Sequence, residues 1–331
     1  MKTHHSILVT GATGLLGPFV IADLIDKGYS DIAVLIRSGQ LNTELQPYAK
    51  HLKVYKGDIL ELHPLTEAMA AADMVIHIAA MVSFDPKERK KMYKINVEGT
   101  ANIVNLCLTS GIKKLVHISS VAAIGRSETD TGPISEDTKW SDSRYNPYYG
   151  VTKYKSELEV WRGYTEGLSM AIVNPSIILG TGDYARSSLK MVKLIKRGLS
   201  HYPPGRVGVV DARDVAALTT YLMESDISGE RYIATAASIS YQELFGKMAA
   251  QLGVTAPKKP ITPWIGALLW RAEKVRSFIT RKSPIVTKET IASSSYHSQY
   301  DTSKSEALPG FAYRPVDETI AWTCDGLKQQ S

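Results

Sequence analysis

The sequence predicts a doubly wound α/β fold, in which helices cover both faces of a parallel sheet, followed by a smaller and mostly helical C-terminal domain. Three observations support this prediction. Short apolar runs alternate with helical stretches from residue 6 to about residue 173. A glycine-rich turn follows the first run. Beyond residue 173 the alternation breaks, and residues from about 240 onward are mostly of helical character.

The apolar runs are short and rich in β-branched residues, which is typical of buried strands. In chain order they read SILVT, DIAVLIR, LKVYKG, DMVIHIA, KKLVHISS and SMAIVNP. The helical stretches between them begin near Leu15, His63, Lys87 and Asn146. Continuous apolar strands separated by helices indicate a parallel sheet that is buried on both faces.

The length of 331 residues is sufficient for two domains and a sizeable core. We expect residues 1–173 to form the first domain. A further strand-helix unit, VGVVDARDVAALTTYLME, lies within residues 207–239, and we expect this segment to return to the first sheet. Residues 174–206 and 240–331 would then form a second, substrate-binding domain.

Composition and charge narrow the class of protein. Lys and Arg exceed Asp and Glu by six, and the sequence pI is about 9.0. This mild excess is typical of a solvated basic surface, with attraction of a phosphorylated cofactor or a membrane surface as the alternatives, and we expect no nucleic-acid partner. Cys107 and Cys324 lie far apart without metal-type spacing, which predicts no disulfide, no metal and a reducing compartment. No signal-peptide segment or spanning apolar run is visible, so we expect a cytoplasmic protein.

The turn after the first strand, VTGATGLLG, places three glycines at three-residue intervals before a helix. Gly11 permits the tight turn, Gly14 lets the backbone approach a pyrophosphate, and Gly17 lets the helix pack on the strand. This spacing in a strand-turn-helix context predicts a Rossmann-type dinucleotide site. The loop residues expected to line it also include Thr13, Leu15 and Leu16.

The end of the second strand indicates which dinucleotide binds. Enzymes that prefer NAD usually place an acidic residue there, where it binds the ribose 2′-OH. This strand ends in VLIRSG, with Arg37 and Ser38 at the corresponding place. A guanidinium can bind a 2′-phosphate, so the sequence favours NADP, with NAD as the alternative if Arg37 only stacks on adenine.

The stretch NPYYGVTK contains a candidate proton donor. Asn146 and Pro147 resemble a helix start, as a capping side chain and a first-turn residue. In a helix Tyr149 and Lys153 share one face, whereas Tyr148 points elsewhere. A protonated lysine favours the phenolate, and we therefore expect the pKa of Tyr149 to be lowered and Tyr149 to serve as an acid near neutral pH.

A second tyrosine-lysine pair and two histidines also resemble catalytic or metal-binding residues, but their surroundings in the sequence do not support such roles. The same spacing recurs at Tyr300 and Lys304, in a polar stretch after the predicted sheet, and we interpret that pair as coincidental. His77 and His117 end predicted strands, but no carboxylate or second histidine stands at metal spacing, so packed histidines are expected.

The sequence resembles an extended short-chain dehydrogenase/reductase of the NAD-dependent epimerase/dehydratase superfamily, nearest to the dihydroflavonol-reductase-like and 3β-hydroxysteroid-dehydrogenase-like branch. The resemblance covers essentially the whole chain. In order, it is carried by TGATGLLG, GDI at 57–59, HIAA at 77–80, NVEGT at 96–100, HISSVAAIG, YYGVTK, NPSIILG and VDARDVA.

The resemblance implies roles for particular residues. It implies a catalytic set of Ser120, Tyr149 and Lys153, in which Ser120 binds the substrate carbonyl, Tyr149 protonates the alkoxide and Lys153 holds the nicotinamide ribose. It implies that Asn96 contacts the cofactor or supports the active site. The remaining cofactor-lining residues implied are Asp58 and Ile59 at the adenine end, Ile78, Ala79 and Ala80 along the cofactor, and Val173, Pro175 and Ser176 beside the nicotinamide.

The function expected from these observations is an NADP-dependent oxidoreductase that acts on a ketone, aldehyde or secondary alcohol. One alternative is a nucleotide-sugar epimerase or dehydratase with tightly bound NAD, for which Arg186 and Arg206 are candidate ligands of a substrate diphosphate. Another is a nucleotide-binding redox sensor without catalysis. The family resemblance also implies a homodimer packed through the helices that begin near Lys87 and Asn146.

The C-terminal segment PWIGALLWRAEKVRSFITRK is amphipathic with a basic end. It could be a helix of the substrate domain, a lid, or a contact with a membrane surface. Its apolar side chains are expected to shape a substrate pocket or to form plain core; they are Trp264, Ile265, Leu268, Leu269, Trp270 and Phe278.

Overall fold

In the computed structural model, which describes residues 5–129, 132–186 and 188–330, strands and helices alternate through the first two thirds of the chain. The strands are β1 (Ile7–Thr10), β2 (Ile32–Ile36), β3 (Leu52–Lys56), β4 (Met74–His77), β5 (Lys114–Ile118), β6 (Met170–Pro175), β7 (Ile177–Leu179), β8 (His201–Tyr202), β9 (Arg206–Asp211), β10 (Glu230–Ala234), β11 (Ala237–Ser240) and β12 (Lys259–Pro260).

The helices connect these strands and dominate the C-terminal third. They are α1 (Gly17–Asp26), α2 (Leu62–Ala70), α3 (Arg89–Tyr93), α4 (Gly99–Thr109), α5 (Tyr148–Thr165), α6 (Leu189–Lys196), α7 (Ala212–Glu224), α8 (Tyr241–Leu252), α9 (Pro263–Thr280), α10 (Lys288–Ser294), α11 (Ser303–Glu306) and α12 (Val316–Gln329). A π-helical segment, Lys94–Glu98, joins α3 to α4.

The central sheet has seven strands in the order β3-β2-β1-β4-β5-β6-β10, and every neighbouring pair is parallel. Successive side chains of a strand point to opposite faces, and in β1 both faces are apolar. Ile7 and Val9 belong to the core beneath α1 and α7, whereas Leu8 belongs to the core beneath α2, α4 and α5. The doubly wound α/β fold predicted from the alternation is thus confirmed.

A second, smaller core lies in the C-terminal region. The three-stranded sheet β11-β9-β7 packs there with α6, α8 and α12. The unit predicted to return to the main sheet is divided, because its strand β9 pairs with β7 and β11, while α7 packs on α1 and only β10 joins the main sheet. The placement of β9 was therefore wrong. An apolar run reveals that a strand is buried but not which strand it pairs with.

The carboxyl ends of the central strands meet along one edge of the sheet. Thr10 of β1 lies opposite His77 of β4, which lies opposite His117 of β5. The loops that leave these three strands therefore start side by side, at the edge where open α/β sheets bind ligands.

Two expectations from composition can be compared with the fold. Cys107 and Cys324 are both buried free thiols, so no disulfide joins them. Within the described ranges, no helix has the length and apolar character needed to cross a membrane.

Candidate active site

The loop between β1 and α1 can only be made with glycine at two positions. Gly11 has φ +75°, and a Cβ there would lie 2.5 Å from the backbone nitrogen of Ala79. A Cβ at Gly17 would lie 2.0 Å from the carbonyl oxygen of Ala12. The first glycine thus lets the loop press against the segment after β4, and the second lets α1 begin close to β1.

The start of α1 fits a pyrophosphate. No side chain caps this helix. The first backbone N–H groups of a helix can donate hydrogen bonds to an anion. Gly14 is exposed at the loop, which it closes by donating its amide to the carbonyl of Gly11 at 3.0 Å. Thr13, Leu15 and Leu16 complete the loop, and Leu15 also packs against the C-terminal core.

Arg37 and Ser38 directly follow β2 and are exposed. Among the described residues, the guanidinium of Arg37 has no hydrogen-bond or ion-pair partner, which leaves its donors available. The hydroxyl of Ser38 accepts the amide of Gln40 at 3.2 Å and donates to the Gln40 carbonyl at 3.3 Å, so it is engaged within its own turn. The Arg37 guanidinium can therefore receive a 2′-phosphate, whereas Ser38 would have to give up its bond to the Gln40 carbonyl to join it.

The segment after β3 lies at the same edge. The carboxylate of Asp58 accepts the amide of Leu60 at 3.1 Å. Ile59 is buried, and its side chain occupies the space that a Cβ at Gly99 would need. Its carbonyl accepts a bond from Asn102 of α4 at 3.0 Å. The segment is thus fixed next to α4, as a wall on the adenine side would require.

The segment after β4 is bonded back to β1 through Thr10. The amide of Ile78 donates to the carbonyl of Thr10 at 3.1 Å, and that of Ala79 donates to the Thr10 hydroxyl at 3.4 Å. Ala80 follows at the open edge. These bonds hold the segment against the glycine loop.

Asn96 is buried, and its side chain forms hydrogen bonds within the protein. Its Oδ1 accepts the amide of Met81 at 2.7 Å, and its Nδ2 donates to the Met81 carbonyl and to Thr152 Oγ1, each at 2.9 Å. Thr152 in turn donates to the carbonyl of Tyr149 at 2.8 Å. Of the two roles considered for Asn96, this geometry favours support of the active site.

Tyr149 lies in the first turn of α5, half-buried beside Ser120. Burial raises the pKa of Tyr149 to about 12, and a hydrogen bond with Ser120 opposes this rise. The expectation that Lys153 would lower the pKa of Tyr149 was wrong. Desolvation of the phenolate dominates, and the Lys153 ammonium donates instead to the carbonyl of Ile118 at 2.8 Å.

Lys153 is buried one helical turn after Tyr149. Its Nζ also lies 3.4 Å from Nε2 of His117. Burial lowers the pKa of Lys153 to about 8, while the charge of Glu157 acts to raise it. Lys153 is thus mostly protonated at neutral pH, but it titrates far closer to neutrality than an exposed lysine.

His77 and His117 are buried behind Lys153, with ring centroids 5.2 Å apart. Nδ1 of His77 lies 2.7 Å from the hydroxyl of Thr10. Burial, together with the Lys153 charge, lowers the pKa of His77 to about 3 and also depresses that of His117. Both rings are neutral near pH 7. The described part of the chain has no group of three or more His, Cys, Asp or Glu side chains that could hold a metal ion.

A buried polar network behind the catalytic residues was missed from the sequence. Nδ2 of Asn174 donates to the carbonyl of Ser120 at 3.0 Å and to Oε1 of Glu157 at 2.5 Å. The other oxygen of Glu157 lies 3.3 Å from Nη1 of Arg231. The network therefore joins Ser120 to the helix that carries Lys153. Glu157 stands four residues after Lys153, so the i, i+4 rule could have revealed it.

The start of α5 is held from the C-terminal region. Asn146 does not cap the helix as predicted, since its amide donates to the carbonyl of Ser141 at 2.8 Å. Instead, Oε2 of Glu289 accepts the backbone N–H of Tyr148 at 3.1 Å. Arg89 pairs with Glu289 and lies 4.9 Å from the centre of the Tyr148 ring. A carboxylate at a helix N-terminus is favourable, and here it arrives from α10, which no local pattern could predict.

Phe84 was also missed. Its ring centroid lies 6.5 Å from that of Tyr149 in an edge-on arrangement. Phe84 belongs to the segment between β4 and α3, so it forms an apolar wall beside the phenol. Val173 and Pro175 are buried at the end of β6, and the amide of Ser176 donates to the carbonyl of Ala234 at 3.0 Å.

Other candidate pairs are structural. Lys304 bonds to Glu230 at 2.6 Å, so it does not serve Tyr300, in agreement with a coincidental spacing. In the VDARDVA motif, the buried Asp211 accepts from Arg213 at 2.7 Å and from Thr319 at 2.9 Å. Asp211 and Arg213 of that motif therefore form a salt bridge within the protein.

Half of the apolar side chains predicted to shape a pocket or form core on α9 are exposed. Trp264, Leu268 and Phe278 are 69%, 61% and 81% exposed and belong to no core, whereas Ile265, Leu269 and Trp270 are half-buried. The opposite face of α9 is buried instead, because Gly266 packs against Ile291 of α10. An amphipathic pattern shows that a helix has an apolar face but does not show whether that face is covered.

A glycine-cradled dinucleotide site beside a serine, a tyrosine and a lysine at the carboxyl edge of a parallel sheet defines an oxidoreductase of the extended short-chain type. Residues 7–234 match the family model described as "NAD dependent epimerase/dehydratase family", and the chain belongs to that family. The family is NAD(P)-dependent and includes reductases as well as epimerases and dehydratases.

Named relatives of both kinds resemble the chain over much of its length. A putative dihydroflavonol 4-reductase of Synechocystis sp. is 28% identical over 97% of this chain and 96% of its own length. Tetraketide alpha-pyrone reductase 2 of Arabidopsis thaliana is 30% identical over 73% of this chain and 81% of its own. The crystal structure of a UDP-glucose 4-epimerase with UDP-glucose from Thermotoga maritima shares the fold, with a TM-score of 0.78 and 19% identity over 98% of this chain and 99% of that one.

Proposed function

We propose that the protein is an NADP-dependent reductase of a ketone or aldehyde, with Tyr149 as the proton donor. The observation that carries this proposal is the placement of Tyr149 in the first turn of α5, beside the hydroxyl of Ser120 and one helical turn before the buried Lys153; burial also raises the pKa of Tyr149 to about 12. A phenol with this pKa is protonated at neutral pH. It is therefore prepared to give a proton to a developing alkoxide, as carbonyl reduction requires.

The serine has the right hydrogen-bond balance for a substrate carbonyl. Its Oγ accepts the amide of Ala122 at 3.2 Å and shares a hydrogen bond with Tyr149, so its proton would turn from Tyr149 to the carbonyl when a substrate binds. The bond from Asn174 to the Ser120 carbonyl fixes the backbone at this point. Ser120 would thus polarise the substrate carbonyl, while Tyr149 protonates the same oxygen. Bound NADPH supplies the hydride, because no side chain can.

Lys153 would serve the reaction through its charge. One of its three N–H donors is used by the Ile118 carbonyl and a second faces Nε2 of His117, which leaves the third to hold the nicotinamide ribose. Its ammonium would also stabilise the phenolate that Tyr149 leaves after proton donation. The proposal gives Asn96 a positioning role, because its amide ties the segment after β4 to α5.

NADP is preferred in this proposal because Arg37 is exposed and unpartnered within the described ranges. A fluorescence titration of the purified protein with NADPH and NADH tests the preference. We expect tighter binding of NADPH by about tenfold or more, since a charge-assisted bond contributes about 1.5–3 kcal/mol. Retention of NAD with no binding of NADPH would contradict both the preference and the reductase proposal.

The nucleotide-sugar alternative has less support from the side chains. Arg186 pairs with Asp183 at 3.1 Å, and Arg206 donates to the carbonyl of Ser238. Both candidate ligands of a substrate diphosphate are therefore engaged by the protein itself. The sensor alternative has less support still, since Ser120, Tyr149 and Lys153 lie together in the order that catalysis needs.

We propose that the cofactor is held by residues 1–173 with α7 and β10, and that the substrate is held by the rest of the chain. The separate core that β7, β9 and β11 form with α6, α8 and α12 supports this division. We also propose a homodimer through α4 and α5, which rests on the family resemblance. A monomeric mass in light scattering would contradict the dimer.

A single screen distinguishes the candidate reactions. Carbonyl compounds and nucleotide sugars are incubated with the protein and either NADPH or NADH, and loss of the reduced nicotinamide absorbance is followed. We expect consumption of NADPH with at least one ketone or aldehyde. Conversion of a nucleotide sugar without net consumption of NADPH would favour the epimerase instead.

A further inference from the structure

Helix α9 carries an apolar face that nothing in the described structure covers. Five large apolar side chains on it are between 59% and 81% exposed: Trp264, Leu268, Val275, Phe278 and Ile279. We call these five residues the α9 face. Contiguous exposed apolar surface of this kind marks an interaction site far more often than scattered single residues do.

The α9 face is a single stripe along the helix. Its members follow one another at spacings of four, seven, three and one residues, which keeps them on the same side of an α-helix. Gly266 and Ser277, which are buried, lie on the opposite side. The helix is therefore amphipathic with its buried side packed on α10 and its second apolar side turned outward.

Positive charge is concentrated around this stripe. Residues 258–288 contain eight basic residues and one acidic residue, a net charge of +7, whereas the whole chain carries +6. The one acidic residue, Glu273, is neutralised by Arg276 at 2.7 Å. The basic residues are Lys258, Lys259, Arg271, Lys274, Arg276, Arg281, Lys282 and Lys288. All of the chain's positive excess thus lies in this segment.

Several of these charges flank the α9 face and are exposed. Arg271 lies within the stripe, and Lys274, Arg281 and Lys282 are exposed toward its C-terminal end. An apolar stripe with Trp and Phe, bordered by lysine and arginine, is the pattern of a helix that lies in the interface of an anionic membrane. No helix of the described residues could span a bilayer, so the contact would be with its surface.

We propose that the α9 face docks the enzyme on an anionic lipid surface, with the five apolar side chains in the headgroup layer and the flanking basic side chains on lipid phosphates and carboxylates. The charge decides against a second copy of the chain as the occupant. Two such faces in contact would bring one +7 segment against another, and like charges across an interface oppose association.

The test is co-sedimentation of the full-length protein with vesicles. One set of vesicles is pure phosphatidylcholine, and the other contains about one third phosphatidylserine. We expect binding to the anionic vesicles, weak binding to the neutral ones, and release from the anionic vesicles in 0.5 M salt, because surface charges are screened at that ionic strength. Binding should also shift Trp emission to shorter wavelength as Trp264 leaves water.

Matched variants separate the two components of binding. Lys274→Gln with Lys282→Gln removes two charges beside the α9 face, and we expect the partition coefficient to fall by roughly 25-fold, at about fivefold for each lysine. Lys190→Gln with Lys193→Gln removes two exposed charges on α6 and should change it by less than twofold. Phe278→Ser with Ile279→Ser should reduce binding at least tenfold, whereas Leu62→Ser, at a site 57% exposed on α2, should not.

Three results of the vesicle experiment would overturn the proposal. They are equal binding to neutral and anionic vesicles, no binding to either, and equal loss in the α9 and α6 charge variants. The Phe278→Ser, Ile279→Ser protein is also measured by light scattering without lipid. A smaller mass than the wild-type protein would assign the α9 face to contact between copies and contradict a lipid partner. All variants concern exposed residues remote from the catalytic set, so NADPH binding should remain unchanged as a check on folding.

Discussion

Substitution of Glu157 by glutamine should decrease the stability of the folded protein, although Glu157 touches neither substrate nor cofactor. The change keeps the shape of the side chain and an oxygen that can accept from Asn174, but it removes the charge. Glu157 is 2% exposed and its partner Arg231 is 18% exposed, so water cannot replace the lost ion pair. Arg231 would keep its bonds to the carbonyls of Glu136 and Thr138.

The expected loss follows from these contacts. A bond to a charged group contributes about 1.5–3 kcal/mol, and leaving a buried charge without its partner costs more. Burial raises the pKa of Glu157, which means that the carboxylate itself is costly to bury and that its removal is partly compensated. We therefore expect a decrease of about 1–3 kcal/mol in the free energy of unfolding.

Urea unfolding followed by fluorescence measures the change, and Glu159→Gln is the matched control. Glu159 lies on the same helix and pairs with Arg162 at 3.0 Å, a shorter distance than the 3.3 Å of the buried pair, but both of its groups are about one third exposed. The control should change stability by less than about 0.5 kcal/mol. Equal effects of the two substitutions would refute the reasoning, because the distance between the paired atoms, and not their burial, would then determine the loss of stability.

The same substitution has a signature that a purely structural role lacks. The Glu157 charge raises the pKa of Lys153, which stands at about 8. Without that charge the ammonium should lose its proton at lower pH. The alkaline limb of the kcat profile should therefore move to lower pH in Glu157→Gln and stay in place in Glu159→Gln. A profile unchanged in both would show that Glu157 does not act on Lys153.

Three further predictions concern the cofactor site and the buried histidines. Arg37→Ser should raise the Kd for NADPH by about 10- to 100-fold and leave that for NADH within about twofold, as measured by fluorescence titration; equal effects on both would contradict a 2′-phosphate contact. Gly11→Ala should abolish NADPH binding and lower the Tm more than Gly28→Ala, because both residues have positive φ but only the Cβ at Gly11 would clash; equal losses would refute the close approach of the loop. As pH falls from 6.5 toward 3, the unfolded chain protonates His77 while the folded chain keeps it neutral, so stability should fall by about 1.4 kcal/mol per pH unit from this group, and His117, whose pKa is also depressed by burial, should add to the fall; urea unfolding of His77→Asn should show a shallower slope, and an unchanged slope would contradict the neutral buried ring.

The parts of the fold that depend on local pattern could be predicted from the sequence. The alternation of strands and helices, the glycine loop and the tyrosine-lysine face each depend on residues close together in the chain. The pairing of β9 could not be predicted in this way, because a buried run is apolar whichever sheet receives it. The capping of α5 by Glu289 was equally out of reach, since the two partners are 141 residues apart.

The chemistry of the site was predicted less well than its position. The spacing of Tyr149 and Lys153 indicated a lowered tyrosine pKa, but the sequence does not show how deeply a side chain is buried. Desolvation reverses the expected direction and leaves a protonated phenol. The prediction that the apolar residues of α9 shape a pocket or form core failed in part for a related reason. Hydrophobicity along a helix does not reveal which of its faces the rest of the protein covers.

The measurement that tests the central claim most directly is the turnover of NADPH and a carbonyl substrate by Tyr149→Phe. The substitution removes one hydroxyl and keeps the ring beside Phe84. We predict a kcat lower by about 100-fold or more, as expected for loss of a general acid, with the Kd for NADPH unchanged. Turnover within about twofold of the wild-type value would contradict the assignment of Tyr149 as the proton donor.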